Sequence, residues 1–327
     1  MTPSGGADAP ILGLGTWAYD RGCVVPAGES RLPLGTQALH YGTGVFEGIR
    51  AFRSDSGLSL FRAHDHFERL LRGCRLLRIA PPGSVDDLVD RTAELLRHNE
   101  HCDDTYVRPV AYKLSLLPET PAGVALHGVS DGMSITTHSF PQDGQSRPLC
   151  CGISSWRRPS RDALPAQAKI TGGYVTAALA GDEARAVGDD DAILLDSAGN
   201  VAEATTSNVF AMLCGRLVTP PPTGDLLPGI TRDTVLALCR ESGLEVLEHP
   251  ISPAELLTAD EIFLTSTGKG VAPVVAVAGR AVGSGAIGET TRRIATHYDA
   301  VTRGADGDHR DWLTAVTAVA SNLSTEE

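Results

Sequence analysis

The sequence predicts a soluble α/β protein of one large or two medium domains, and three observations predict it. Some stretches repeat apolar residues at helical spacing, while others are short β-rich runs separated by turn chemistry. The chain has 327 residues, enough for substantial cores. Residues 141–148 are polar, glycine-bearing and bounded by prolines, the composition of a linker between domains.

Taken in order, residues 1–10 read as a frayed end. Residues 32–53 are dense in glycine, at 42, 44 and 48, which lets a backbone turn sharply or approach a ligand closely. A plain loop between strands is the alternative. The dinucleotide fingerprint is absent, because no G-x-G-x-x-G opens a helix directly after a strand. Residues 57–62 form a short strand.

Two amphipathic helices follow. Phe67, Leu70, Leu71, Cys74 and Leu77 mark the first; the second starts at Ser84, with Asp87 completing an approximate capping box, and buries Val85, Leu88, Val89, Leu95 and Leu96. Residues 105–117 are apolar and β-rich, and 133–139 are another strand. Beyond the linker, 177–186 is an alanine-rich helix, and 192–195, 201–204, 208–213 and 216–218 are short strands. A proline-rich loop at 220–228 leads to Gly229-Ile230-Thr231, which opens a helix stopping at Gly243. Ser252-Pro253-Ala254-Glu255 is a capping box with proline at the first helical position. A buried strand at 262–264 runs into Thr265-Ser266-Thr267-Gly268-Lys269-Gly270. Phe263 stands where the first glycine of a Walker phosphate loop belongs, so that reading is rejected.

Composition excludes several classes. Hydrophobic content of 42% and charged content of 21% are ordinary for a globular protein. A net charge of −12 argues against nucleic acid or an anionic membrane as partner, while leaving room for an acidic small molecule on a local arginine cluster. No apolar run approaches the roughly 18 residues of a membrane helix, and MTPSGGADAP lacks the blocks of a signal peptide, so a cytoplasmic protein is expected. The seven cysteines form no C-x-x-C pair and no zinc spacing; they read as reduced thiols, mostly core filler, and no metal is expected. His64 and His66, two apart at a helix start, suit capping or exposure better than metal binding.

Only three of the 28 basic residues are lysines: Lys113, Lys169 and Lys269. A lysine that survives such a bias suggests chemistry denied to arginine, because lysine can lose its proton and form an imine with a carbonyl. Lys169 lies in the nearly uncharged stretch Leu164-Pro165-Ala166-Gln167-Ala168-Lys169-Ile170-Thr171-Gly172-Gly173-Tyr174, which favours the neutral amine. A surface lysine beside a glycine turn is the plainer alternative. Pyridoxal 5′-phosphate would supply the electron sink such a lysine needs, and the chain contains what it requires. Gly229-Ile230-Thr231 offers backbone N–H groups at a helix start for the phosphate. Glu203, inside an otherwise neutral stretch, offers a carboxylate for the pyridine nitrogen; a solvated strand edge is the alternative there.

Four motifs then resemble one family. Tyr41-Gly42-Thr43-Gly44-Val45-Phe46-Glu47-Gly48-Ile49-Arg50, Lys169-x-x-Gly172-x-Tyr174, Glu203-x-x-x-x-Asn208-Val209-Phe210 and Leu227-Pro228-Gly229-Ile230-Thr231-Arg232 are similar in order and spacing to the branched-chain aminotransferases, fold-type IV pyridoxal-phosphate enzymes. The resemblance implies a small N-terminal α/β domain over 1–140, an interdomain loop at 141–148 and a C-terminal α/β pseudo-barrel domain over 149–327 that carries the cofactor. It implies that Lys169 holds the cofactor and shuttles the proton, that Glu203 pairs with the pyridinium, and that Tyr174 meets the ring hydroxyl. It makes Arg69 the phosphate arginine, adds Ile230, Thr231 and Thr267 for the phosphate, and counts Leu227 among the cofactor-binding residues. Tyr41, Phe46, Tyr106, Arg108, Thr267 and Gly268 match substrate positions. Tyr106 and Arg108, two apart on a strand, share a face, so the arginine can take a carboxylate while Phe46 and Tyr41 wall an aliphatic side chain.

Two loops depart from the family. Leu116-Leu117-Pro118-Glu119-Thr120-Pro121-Ala122-Gly123 replaces a glycine- and methionine-rich loop, and Phe140-Pro141 is followed by Gln142-Asp143-Gly144-Gln145 where a tryptophan is usual. The resemblance therefore implies transfer of an amino group from an L-amino acid, branched-chain-like or with a related, even non-proteinogenic, side chain, to 2-oxoglutarate or another 2-oxo acid by a ping-pong mechanism. It also implies a homodimer or higher homo-oligomer. The alternatives are the same fold with a different reaction, aminodeoxychorismate-lyase-like or a D-amino acid or amine transaminase, and a cofactor-binding protein without turnover.

Overall fold

The computed structural model describes residues 14–80, 83–116, 123–140, 147–222 and 225–316. The frayed end expected at 1–10, residues 117–122 of the first altered loop and residues 141–146 of the second, which take in most of the linker, lie outside these.

Two sheets organise the chain. The first half runs β1 (Trp17–Asp20), β2 (Cys23–Pro26), α1 (Gln37–Tyr41), β3 (Gly44–Phe46), β4 (Ile49–Ser54) and β5 (Gly57–Phe61). It continues through α2 (Ala63–Leu76), α3 (Val85–His98), β6 (Thr105–Lys113) and β7 (Asp131–Ser139). After it come β8 (Leu149–Arg157), α4 (Tyr174–Val187), β9 (Asp191–Leu195), β10 (Val201–Ala204), β11 (Asn208–Leu213) and β12 (Arg216–Thr219). The last run is α5 (Ile230–Glu241), β13 (Val246–Glu248), α6 (Pro253–Leu256), β14 (Glu261–Ser266), β15 (Gly270–Val277), β16 (Arg280–Ala281), α7 (Glu289–Thr302) and β17 (Leu313–Ala315).

The first sheet has the order β17-β5-β4-β6-β7-β1-β2, with β3 also on β6, and every pairing in it is antiparallel. Alternation along β6 decides what each face does. Val107 and Ala111 join Phe67, Leu70, Leu88 and Leu95 of α2 and α3 in one apolar core, which leaves Tyr106 and Arg108 on the opposite face. The strand stops at Lys113 rather than at 117, because its register with β7 runs out at the pair Lys113–Asp131. The α3 capping box is present as expected, Asp87 N–H donating to Ser84 Oγ at 3.2 Å and Ser84 N–H to Asp87 Oδ2 at 2.8 Å.

The second sheet has the order β10-β9-β8-β15-β14-β11-β12-β13, with β16 on β15, and mixes parallel with antiparallel pairs. Helix α4 packs Ala180 and Ala184 on Ala192 and Leu194 of β9. It begins three residues before the expected 177, a 3₁₀ turn at Thr171–Gly173 leading straight into Tyr174. A third core joins the two sheets: Phe52 and Phe61 pack with Phe210, Phe263 and Tyr298. Buried Asp104 adds a polar clasp, accepting from Arg50 at 2.9 Å and from Arg303, just past the end of α7, at 3.0 and 3.1 Å. The closing strand β17 returns to the first sheet and pairs Leu313 with Phe61.

Two expectations are corrected here. Cysteine is not mostly core filler: Cys74, Cys151 and Cys239 are buried, Cys150 is half-buried, and Cys23, Cys102 and Cys214 are exposed. His66 is neither cap nor surface residue but buried, because helical spacing sets it on the same side of α2 as Phe67, Leu70 and Cys74. Among the described residues no group of histidine, cysteine and carboxylate side chains is arranged to hold a metal ion.

Candidate active site

The glycine-dense segment and the Lys169 segment are one construction. Phe46 N–H donates to the Lys169 carbonyl at 3.1 Å, Gly172 N–H to the Gly42 carbonyl at 3.3 Å, and the Thr171 hydroxyl to the Gly42 carbonyl at 2.9 Å. Gly42 has φ of 65°, and a Cβ there would come within 2.6 Å of Gly172 Cα. Only glycine allows so close an approach of two backbone segments. Gly48 is needed for a related reason: a Cβ would collide with the Tyr106 hydroxyl.

Lys169 opens on a small cavity of ≈ 40 Å³ between the sheets, lined also by Arg69, Tyr174, Glu203, Leu227, Ile230, Thr231 and Thr267. All the residues expected to bind cofactor are thus brought together. Lys169 Nζ donates to the Tyr174 hydroxyl at 2.5 Å. Burial pushes the amine down from an ordinary 10.5 to about 8, with Glu47 and Glu203 pulling it up and Arg69 and Arg108 down. Burial also pushes the Tyr174 hydroxyl up, reinforced by Glu203.

Glu203 lies on β10 and is buried. Its Oε1 is 2.8 Å from Arg158 Nε, and its Oε2 accepts from Leu227 N–H at 3.2 Å. Burial pushes its carboxyl up, and one arginine with one N–H does not cancel that. At another wall Gly229 caps α5 without any side-chain hydrogen bond, so the N–H groups of a 12-residue helix face the cavity around Ile230 and Thr231. The buried Thr265 hydroxyl, also in the lining, has no hydrogen-bond partner among the described residues.

Arg69 is not alone. Its Nε and Nη2 reach both oxygens of fully buried Glu47 at 2.6 and 2.9 Å, and its Nη1 donates to the Pro228 carbonyl at 2.8 Å. His66 Nδ1 lies 2.8 Å from the same carboxylate. Burial alone would raise the Glu47 carboxyl, but Arg69 and His66 together hold it well below the usual carboxylate range. Burial pushes His66 down.

The expected substrate residues divide. Arg108 donates to the Tyr106 hydroxyl at 2.7 Å, so the two do point together. The Arg108 guanidinium lies 4.7 Å from the centre of the Phe46 ring, and Lys169 Nζ lies 4.9 Å from that same ring. A Cβ on Gly268 would meet nothing within 4 Å. Tyr41 is different in being 40% exposed on α1, although of the expected substrate residues only Thr267 lines the cavity.

Comparison with known proteins agrees with this geometry. The model of the family Amino-transferase class IV matches residues 44–277. The chain belongs to this family. A probable branched-chain-amino-acid aminotransferase of Aquifex aeolicus is 39% identical over 309 residues, 92% of this chain and 96% of that one. The branched-chain-amino-acid aminotransferase of Escherichia coli (strain K12) is 33% identical over 296 residues, 88% and 93% of the two chains. Among solved structures, the branched-chain aminotransferase of Thermoproteus uzoniensis with norvaline superposes with a TM-score of 0.87 at 33% identity, covering 93% of this chain and all of that one. The branched-chain amino acid aminotransferase of Thermobaculum terrenum in its PLP-bound holo-form superposes equally well, TM-score 0.87 at 32% identity over 94% of this chain and 100% of that one. The two-domain fold-type IV architecture is therefore the architecture of this class IV chain.

Sequence reading gave no role to three groups of this class IV site. Glu47 stands inside a quoted motif, and its place three residues before Arg50 says nothing of Arg69. His66 shares a helix side with Arg69, a signal that spacing carries. Arg158 lies 45 positions from Glu203, and no local pattern joins them.

Proposed function

We infer that the protein is a pyridoxal 5′-phosphate-dependent aminotransferase of the branched-chain type. It takes the amino group of an L-amino acid with an aliphatic or related side chain and gives it to 2-oxoglutarate or another 2-oxo acid by a ping-pong cycle. The observation that carries this reading is an amine pushed toward neutrality in one cavity with a buried carboxylate short of positive charge. The residues fit the cofactor: Glu203 has room for one more cationic partner, Thr265 has an unused hydroxyl, and the α5 N-terminus is uncapped.

Bound pyridoxal 5′-phosphate supplies an aldehyde that takes up amino groups and a protonated ring that draws electrons. Lys169 Nζ would be the amine that holds the cofactor and, when free, the base that moves a proton at the substrate Cα. Glu203 would face the ring nitrogen and favour its protonated form, and Arg158 with Leu227 N–H holds Glu203 in place. Tyr174, already bonded to Nζ, orients the amine and meets the ring hydroxyl. Arg69, Ile230, Thr231 and Thr267 receive the phosphate, with Glu47 and His66 fixing the Arg69 guanidinium. Tyr106, Arg108 and the Thr267-Gly268 backbone receive carboxylates, and Phe46 walls the side chain.

We place the domain division between β7 and β8, at the 141–148 segment, with β17 returned to the first domain. The exposed Leu32, Leu34, Leu39 and Tyr41 support a homodimer whose interface runs along residues 32–41. Free cysteines and the absence, among the described residues, of a helix long and apolar enough to cross a membrane support a cytoplasmic setting.

Borohydride reduction of the cofactor-loaded protein, followed by peptide mapping, tests the reading. A pyridoxyl adduct on Lys169, with amino transfer from leucine, valine or isoleucine to 2-oxoglutarate, is expected. An adduct on Lys113 or Lys269, or pyruvate release from aminodeoxychorismate without transfer, would overturn it.

A further inference from the structure

The third lysine is not accounted for by this chemistry. Lys269 follows Thr267 and Gly268 on the turn between β14 and β15, and its Nζ lies 2.7 Å from Asp191 Oδ2. Asp191 opens β9 and is only 3% exposed. Its other oxygen, Oδ1, accepts from the Thr205 hydroxyl at 2.6 Å and from the Thr205 N–H at 3.3 Å. One buried carboxylate thus joins two turns far apart in the chain. Both turns wall the cavity, through Thr205, Thr206 and Ser207 on one side and Thr265, Ser266 and Thr267 on the other.

The ammonium adds to the link. Lys269 Nζ stands 3.5 Å from the hydroxyls of Thr206 and Ser207, and Lys269 N–H donates to Ser266 Oγ at 3.2 Å. A compact ammonium can sit among several oxygens at once. Asp191 is the buried end of the pair and Lys269 the half-buried one, so removing the lysine leaves the carboxylate without its cation. Such a pair is suited to fixing a distance.

The geometry points to Asp191 and Lys269 as a positioning pair that holds the Thr267-Gly268 turn against the 205–207 turn, and so sets the backbone that receives phosphate and substrate carboxylate. This rests on the aminotransferase reading. Neither residue touches the reacting atoms; both act through the turns they join.

The test uses the cofactor-loaded enzyme with Lys269→Ala, Lys269→Arg and Asp191→Asn. Loss of one charge-assisted contact predicts for Lys269→Ala a cofactor dissociation constant and a KM for leucine each raised about tenfold. Turnover at saturation stays within about threefold, because only binding groups are displaced. The apoprotein melting temperature falls only modestly, because the Lys269 side chain is 31% exposed, Lys269→Arg recovers most of the loss, and Asp191→Asn follows Lys269→Ala. The proposal is overturned if Lys269→Ala leaves both constants within about twofold of the unaltered enzyme. It is equally overturned if the losses track a drop in apoprotein melting temperature that arginine does not repair, since the pair would then be structural only. An unaltered protein that neither binds pyridoxal 5′-phosphate nor transfers amino groups would sink the functional reading, and this one with it.

Discussion

Glu47 and Glu203 are buried carboxylates contributed to one site by different sheets, and their surroundings push them in opposite directions. Glu47, between β3 and β4, meets both prongs of Arg69 and the ring of His66 and is held ionised far below the ordinary range. Glu203, on β10, has Arg158 and one backbone N–H, and burial outweighs them. The first carboxylate is fully matched within the chain. The second is matched only in part, and a further positive group beside it would complete the set. A carboxylate that holds an arginine rigid and one left short of positive charge are thus distinguished by counting partners, although both face an arginine.

That contrast can be broken experimentally. The largest effect is expected at the amine that both carboxylates influence: Lys169→Ala should lower turnover by about 10⁵-fold or more, read in steady-state transfer from leucine. Glu203→Gln should come next, with kcat lower by about 10²–10⁴-fold. Thermal melting of that variant should show no loss of the apoprotein, because burial already disfavours the charge there. A Glu203→Gln enzyme of full activity would remove the ring-nitrogen role.

Glu47→Gln should do the reverse, costing stability before chemistry. Arg69 and His66 lose their partner inside the protein, and the expected destabilisation is about 3–5 kcal/mol by urea unfolding. Because the folded Glu47 carboxyl is lowered, its stabilisation is complete above its ordinary 4.5 and is lost as pH falls below that; the variant should therefore lose the steep acid part of the unfolding profile.

The smallest effect concerns Lys169 in the apoprotein. Its amine falls from 10.5 to about 8 on folding, so between these values the unfolded chain binds the extra proton. Stability should then rise with pH across that window, and Lys169→Met should flatten the rise. A profile identical in both proteins would show that the amine is not displaced.

Much of this was legible in the sequence, for reasons that differ by element. The amphipathic period of α2, the capping boxes at Ser84 and Ser252, and the short strands of the second sheet are local patterns, and they appear where spacing puts them. Lys169 and Tyr174 are five apart on one segment, so their contact is nearly local too. What spacing does not carry is charge matching across the fold. Arg158 meets Glu203 only because β8 and β10 flank β9, and Lys269 meets Asp191 only because the turn after β14 folds over the start of β9. Arg69 and His66 read as ordinary helix residues until Glu47 is set beneath them. Tyr41 rests on the resemblance alone, and on α1 its side chain is 40% exposed.

The return of β17 to the side of β5 has a consequence for biosynthesis. A ribosome emits the chain from its N-terminus, so β5 emerges some 250 residues before the strand that covers its outer edge. During that interval a row of unsatisfied amides and carbonyls around Leu58, Leu60 and Phe61 is open to any extended neighbour, including a second nascent copy. Truncation just before Leu313 would make that temporary vulnerability permanent.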